Sequence, residues 1–236
     1  MRVITPFKYF ADHSNEWLAK ETPDWFAGAK TRRREVPNSQ VKGDTIRSCP
    51  SFVDIFRNSL VLRAPTEMIF HFMGDNHEYM IVAEFPNFRF VHSAEQHDIE
   101  TQMSREWGGQ HIHQKLNFNF QIISEVQSKC LILPPEYHFE EESLILKPML
   151  GVLNLLPNLG VEFNLNMIAG KQDFLEKKEL FIRKGTPLAY LYFPFGENVS
   201  VEYMPQHEYE SFHFTRTTFG GEYLRDVMKG KANGSF

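Results

Sequence analysis

Along residues 115–122 polar and apolar side chains alternate, with Leu116, Phe118, Phe120 and Ile122 on one side and Asn117, Asn119 and Gln121 on the other. A period of two predicts a long strand with one buried face. The same alternation sets Val161, Phe163, Leu165 and Met167 against Glu162, Asn164 and Asn166, and it returns at Val199, Val201 and Tyr203. Residues 188–193 differ, being a continuous apolar and aromatic run of strand length closed by Pro194. Flanked by alternating strands, this run is predicted to pass through the middle of a packed sheet. Lys184-Gly185-Thr186-Pro187 before it reads as a tight turn, with Gly185 free to take positive φ and Pro187 presetting φ for the strand.

Shorter strands are predicted over 60–63, 67–72, 79–85 and 88–91, with Gly74-Asp75-Asn76 and Pro86-Asn87 as turns, a spacing that describes a meander. Residues 129–133, 144–146, 151–156 and 179–183 add more, and crossover helices are absent, which argues against a doubly wound sheet. The predicted fold is mainly β: a jelly-roll-like β-sandwich or distorted barrel with short peripheral helices and an irregular N-terminal arm. Residues 1–48 form the arm packed on the core, in which Val3, Ile4 and Phe7 start an edge strand and Ser14 caps a short helix through Trp17 and Leu18. Residues 49–210 form the sandwich, which opens on a helix with Ser48 as N-cap, Pro50 in the first turn and Phe52, Val53 and Phe56 on one face. A helical insertion near 94–107 follows from the capping box at Ser93-Ala94-Glu95-Gln96 and the spacing of Ile99, Met103 and Trp107. Residues 211–236 form a docking helix, on the stripe Tyr223, Leu224, Val227 and Met228, and a frayed tail.

Composition narrows the function classes. The 236 residues hold 22 Phe, 8 Tyr and 3 Trp, enough aromatic surface for an inter-sheet core and for an interface besides. A formal charge of -5 argues against general nucleic-acid binding. Cys49 and Cys130 are the only cysteines and stand far apart, which fits a reduced, cytoplasmic setting with both thiols structural. No window approaches the roughly 18 uninterrupted apolar residues of a membrane helix, so no membrane association is expected.

Three groups of residues carry candidate chemistry. His111 and His113 are two apart on a strand, so both imidazoles can reach one divalent transition metal (Fe, Mn, Ni or Zn) as in cupin-type sites. His138, in Tyr137-His138-Phe139-Glu140, is the proposed third ligand from a neighbouring strand; ordinary surface or hydrogen-bonded histidines are the competing account. Arg32, Arg33 and Arg34 form either a solvated loop or an anion contact for a phosphorylated ligand. Trp25 and Phe26, delivered together by the turn at Pro23, either anchor the arm or meet a partner. His71 and His77 bracket a turn, and Glu140, Glu141 and Glu142 read as a solvated acidic edge. Cys49, at a helix start, is read as structural although such a position lowers thiol pKa. The nucleotide-loop, nucleophile-elbow and zinc-protease motifs are missing.

Pro23-Asp24-Trp25, the Cys49-Pro50 helix followed by Asp54 and Phe56, and Lys184-Gly185-Thr186-Pro187 before an apolar strand ending in Pro share an order. In that order the chain resembles an uncharacterised all-β protein family of tailed phages, notably cyanophages, and of some bacteria. The resemblance implies an all-β fold and work inside an infected cell or in a phage particle, and it implies no catalytic residue. The leading expectation is therefore a phage-associated or host-interacting protein with a non-enzymatic binding or structural role, possessing a protein partner or forming a homo-oligomer. A cupin-like enzyme at His111/His113 and a phosphorylated-ligand module are the alternatives.

Overall fold

In the computed structural model, residues 1–28, 49–74, 79–84, 91–93, 111–138, 146–158, 160–170, 179–196 and 198–210 are described. The chain opens with β1 (Arg2–Thr5), α1 (Lys8–Asp12), α2 (Ser14–Trp17), β2 (Leu18–Ala19) and α3 (Asp24–Gly28). Next come α4 (Pro50–Asn58), β3 (Ser59–Arg63), β4 (Met68–Gly74), β5 (Tyr79–Glu84) and β6 (Val91–Ser93). The long strand β7 (His111–Ile123) leads to β8 (Ser128–Leu133), a 3-10 turn at Glu136–His138, β9 (Lys147–Pro148) and β10 (Gly151–Leu155). Then follow β11 (Gly160–Gly170), β12 (Glu179–Ile182), β13 (Pro187–Tyr192) and β14 (Ser200–Tyr203).

These strands make three sheets. Sheet A runs β14-β1-β7-β11-β9, with β6 also on β7; sheet B runs β10-β8-β13-β3-β2; sheet C runs β12-β4-β5. The protein is a mainly β sandwich whose alternating strands face one another across a single large core. Sheet A supplies Val3, Leu116, Phe118, Phe120, Ile122, Phe163, Leu165 and Met167, sheet B supplies Leu62, Cys130, Ile132, Ala189 and Leu191, and sheet C supplies Met68, Phe70, Leu180 and Ile182. Phe120 stacks on Phe163 at 4.9 Å and touches Trp17 at 5.4 Å, so α2 closes one end of the core. Each fully buried Phe or Leu contributes on the order of 1.5–3 kcal/mol, so the period-two pattern of β7 and β11 is the main source of cohesion.

The run before Pro194 is indeed a central strand: β13 lies third in the five-stranded order of sheet B, between β8 and β3. Gly185 takes φ +90° in the turn ahead of it. Five expectations are corrected. Ser14 lies inside α2, whose N-cap is His13, with no side-chain cap bond. β1 is not an edge strand, since it pairs with β7 on one side and, in parallel, with β14 on the other. The strands between residues 59 and 93 do not form a meander; β3 joins sheet B, β4 and β5 join sheet C, and β6 joins sheet A. Alternation says which face a residue takes and leaves the neighbouring strand undetermined. Cys49, not Ser48, occupies the N-cap of α4, with no side-chain cap bond, because Pro50 already starts the helix without needing a donor. His138 ends a 3-10 turn where a strand was predicted, since Pro134-Pro135 stops β8 and His138 N–H bonds back to the Pro135 carbonyl at 3.0 Å. The predicted helices near 94–107 and 220–229 lie outside the described residues.

Candidate functional site

The register of sheet B defines a second face, turned away from the large core. Tyr190 lies opposite Leu133 and Val61, Tyr192 lies opposite Leu131 and Ser59, and Leu131 lies opposite Val152. Directly opposed residues share a face, so Val61, Tyr190, Tyr192, Leu131, Leu133 and Val152 all point outward. Half of this outer face is covered and half is open.

The N-terminal segment and α4 cover the first half. Pro23 starts α3, and its carbonyl takes the N–H groups of Phe26 and Ala27 at 2.9 Å, which turns Trp25 and Phe26 toward the sheet. Phe26, Phe56, Val61 and Tyr190 are buried together, with Trp25, Phe52 and Tyr137 half-buried around them. Phe26 meets Phe56 edge-on at 4.7 Å and Phe52 meets Tyr137 at 5.3 Å, geometries that suit the aromatic quadrupole. The Trp25 indole N–H donates to the Tyr137 carbonyl. Glu21 adds a charged tie, accepting from Arg63 Nε at 3.0 Å and from Nη2, while Arg63 Nη1 donates to the Gly185 carbonyl. A bidentate fork of this kind holds direction as well as charge. It fastens the arm to β3 and to the turn that feeds β13.

Beneath this cover His138 stacks on Tyr190, with ring centroids 5.5 Å apart and planes at 29°. His138 Nε2 and the Tyr190 hydroxyl are both buried and have no hydrogen-bond partner among the described residues. Burial holds His138 below the ordinary histidine range and outweighs the opposing charge of Glu21; Arg63 pushes the same way as burial, and Asp24 against it. Burial also drives the Tyr190 phenol far above its usual value, helped by Glu21. Both rings are thus neutral at pH 7, in a patch that favours uncharged aromatic surface.

The open half begins at Tyr192, whose hydroxyl donates to the Asp54 carboxylate of α4. That hydrogen bond raises the Tyr192 pKa, and Asn58 Nδ2 steadies the same carboxylate at 2.8 Å. From Tyr192 a cross-strand row runs through half-buried Leu131 to Val152, which is 54% exposed, with Leu150 beside it at 70%. Among the described residues β10 pairs only with β8, so Gly151–Leu155 presents a strand edge. Its sequence, GVLNL, carries neither a charge nor a proline to blunt that edge.

The other predicted residues lie elsewhere or outside the described set. His111 and His113 open β7 opposite Gly170 and Ile168 of β11, in sheet A, whereas His138 packs on sheet B. Among the described residues no group of three His, Cys, Asp or Glu side chains is placed to hold a metal. Arg32, Arg33, Arg34, His77 and the Glu140 to Glu142 run lie outside the described residues. A surface depression of about 460 Å³ lies between Met1, Glu125, Val126, Phe195 and Asn198, with Glu125 as its one charged side chain. Glu21, Arg63, Tyr190 and Val152 were not singled out by sequence. An ion pair 42 residues apart leaves no local pattern, and an exposed valine on a strand is ordinary until its neighbours are known.

Compared with known proteins, the chain matches no family model, no curated protein and no solved structure. Among the described residues no helix is long and apolar enough to cross a membrane.

Proposed function

We propose that the protein is a non-enzymatic binding protein, phage-associated or host-interacting, that takes a partner chain on the open half of the outer face of sheet B. The observation that carries this reading is the row Tyr192, Leu131 and Val152 ending at an unblunted edge strand. An extended segment laid beside β10 would complete that edge with main-chain hydrogen bonds and cover Leu150 and Val152 with its own side chains. The jelly-roll-like arrangement of the sandwich belongs to the same proposal, as does work in the host cytoplasm or on a phage particle, which rests on the family resemblance.

Leu150→Lys/Val152→Lys tests it, because both positions are exposed and surface changes of this kind alter stability by only about 0.5 kcal/mol. Sedimentation velocity over a range of concentrations, and crosslinking in infected cells, are compared for wild type and variant. Self-association or a specific crosslinked partner that the variant loses supports the reading. A wild-type protein that is monomeric throughout, with the same crosslinks as the variant, sinks it.

A further inference from the structure

The covered half of the same face carries a second inference, which does not depend on what binds the open half. Tyr190 is fully buried, yet its hydroxyl has no hydrogen-bond partner among the described residues, and the His138 ring lies on it with Nε2 also buried and unpartnered. His138 ends the Glu136–His138 turn, and the residue before it supplies the carbonyl that holds the Trp25 indole. A neutral imidazole can place its bare lone pair at Nε2 with little penalty. Protonation puts a second N–H there, directed into aromatic surface, with no described acceptor.

We infer that the His138–Tyr190 stack is an acid-released clasp: neutral, it seats the Glu136–His138 turn and, through Tyr137 and Trp25, the N-terminal arm on sheet B; protonated, it lets both go. The charged groups around it set the balance. The arm brings the carboxylates of Glu21 and Asp24, which favour imidazolium, and β3 brings Arg63, which disfavours it. Glu21 is already engaged by the Arg63 fork, so much of its charge is answered. Among the described residues the rest of the patch is aromatic: Tyr190 from β13, Tyr137 from the turn itself, and Phe52 and Phe56 from α4. Desolvation is the largest influence and keeps the folded-state pKa of His138 below 6.5. A group depressed in this way holds the arm fully above the unfolded value and loses it as pH falls below 6.5 toward the folded pKa.

Hydrogen exchange read by mass spectrometry, corrected for the intrinsic effect of pH, measures the clasp directly. Between about pH 7.5 and about pH 5, protection over residues 22–28 and 134–138 should fall about tenfold or more in wild type while the β7 and β11 amides keep theirs. His138→Phe keeps a ring on Tyr190 but cannot titrate, and its arm should stay protected at the lower pH. Equal loss in wild type and His138→Phe, or no loss in wild type, overturns the inference. Should His138→Phe fail to fold, the His138 Cε1–H signal of the wild-type protein decides: a transition below 6.5 that coincides with loss of arm protection supports the clasp. A transition at or above the ordinary value overturns it.

Discussion

Tyr190 spends a buried hydroxyl where a phenyl ring would fill the same space, and the described residues offer that hydroxyl no partner. Tyr190→Phe is therefore expected to leave stability unchanged or raise it by up to about 1 kcal/mol, measured by urea denaturation, since an unsatisfied buried group costs more than its removal. Trp25 is the reverse case. Its indole N–H is used by the Tyr137 carbonyl and its ring touches Phe26, Phe52 and Phe56. Trp25→Phe should lower stability by about 1–2 kcal/mol, through the lost bond and the smaller ring. The Arg63 fork stands between these cases, because both partners keep some contact with water and the pair contributes less than a fully buried one.

Among the elements, the turn before β13 joins local conformation to tertiary attachment. Gly185 sits at φ +90° and its carbonyl also receives Arg63. Gly185→Ala meets no steric obstacle in space, yet forces a side chain into the left-handed region, so a loss of about 1 kcal/mol is expected in denaturant titration. That turn and the strands β7, β11 and β13 were legible in sequence, because alternation, apolar runs and glycine–proline punctuation are all local signals. Partition among sheets was not legible. Nothing in Leu60 or Phe70 says that one strand joins sheet B and the next sheet C, and nothing in Val3 or Ile4 announces neighbours at residues 122 and 201. Of the site, Trp25 and Phe26 were visible as an aromatic pair with a docking role. His138 was read from sequence as a third metal ligand on a strand; its place on Tyr190 was not visible, since that stacking partner is 52 residues away and a 3-10 turn has no period to detect.

On the scale of the whole molecule, stability should fall off at both ends of the pH range for different reasons. On the acid side, His138 is depressed by burial, so its contribution is present above 6.5 and declines below it. On the alkaline side, Tyr209 is pushed up to about 12 by burial, and Tyr190 further still. Raised phenols contribute stability that is complete below the ordinary value of 10.0 and is lost as pH climbs toward the folded-state pKa. Absorbance of phenolate near 295 nm should accordingly show a late fraction, from Tyr190 and Tyr209, that appears together with unfolding. A single smooth tyrosine titration with a native circular dichroism spectrum would contradict this arrangement.

The position of β1 also carries a consequence in time. Arg2 is matched with Ile123 on one side and with Ser200 on the other. A ribosome adding roughly 5–20 residues per second needs on the order of 10–40 s to travel from the first of these residues to the last. For that interval β1 waits with at least one flank unpaired, leaving Val3 and Ile4 without their later neighbours. A chaperone that shields this short apolar segment on the nascent chain would thus raise the yield of native protein, and a message cut before the codon for Ser200 would yield chains prone to clump.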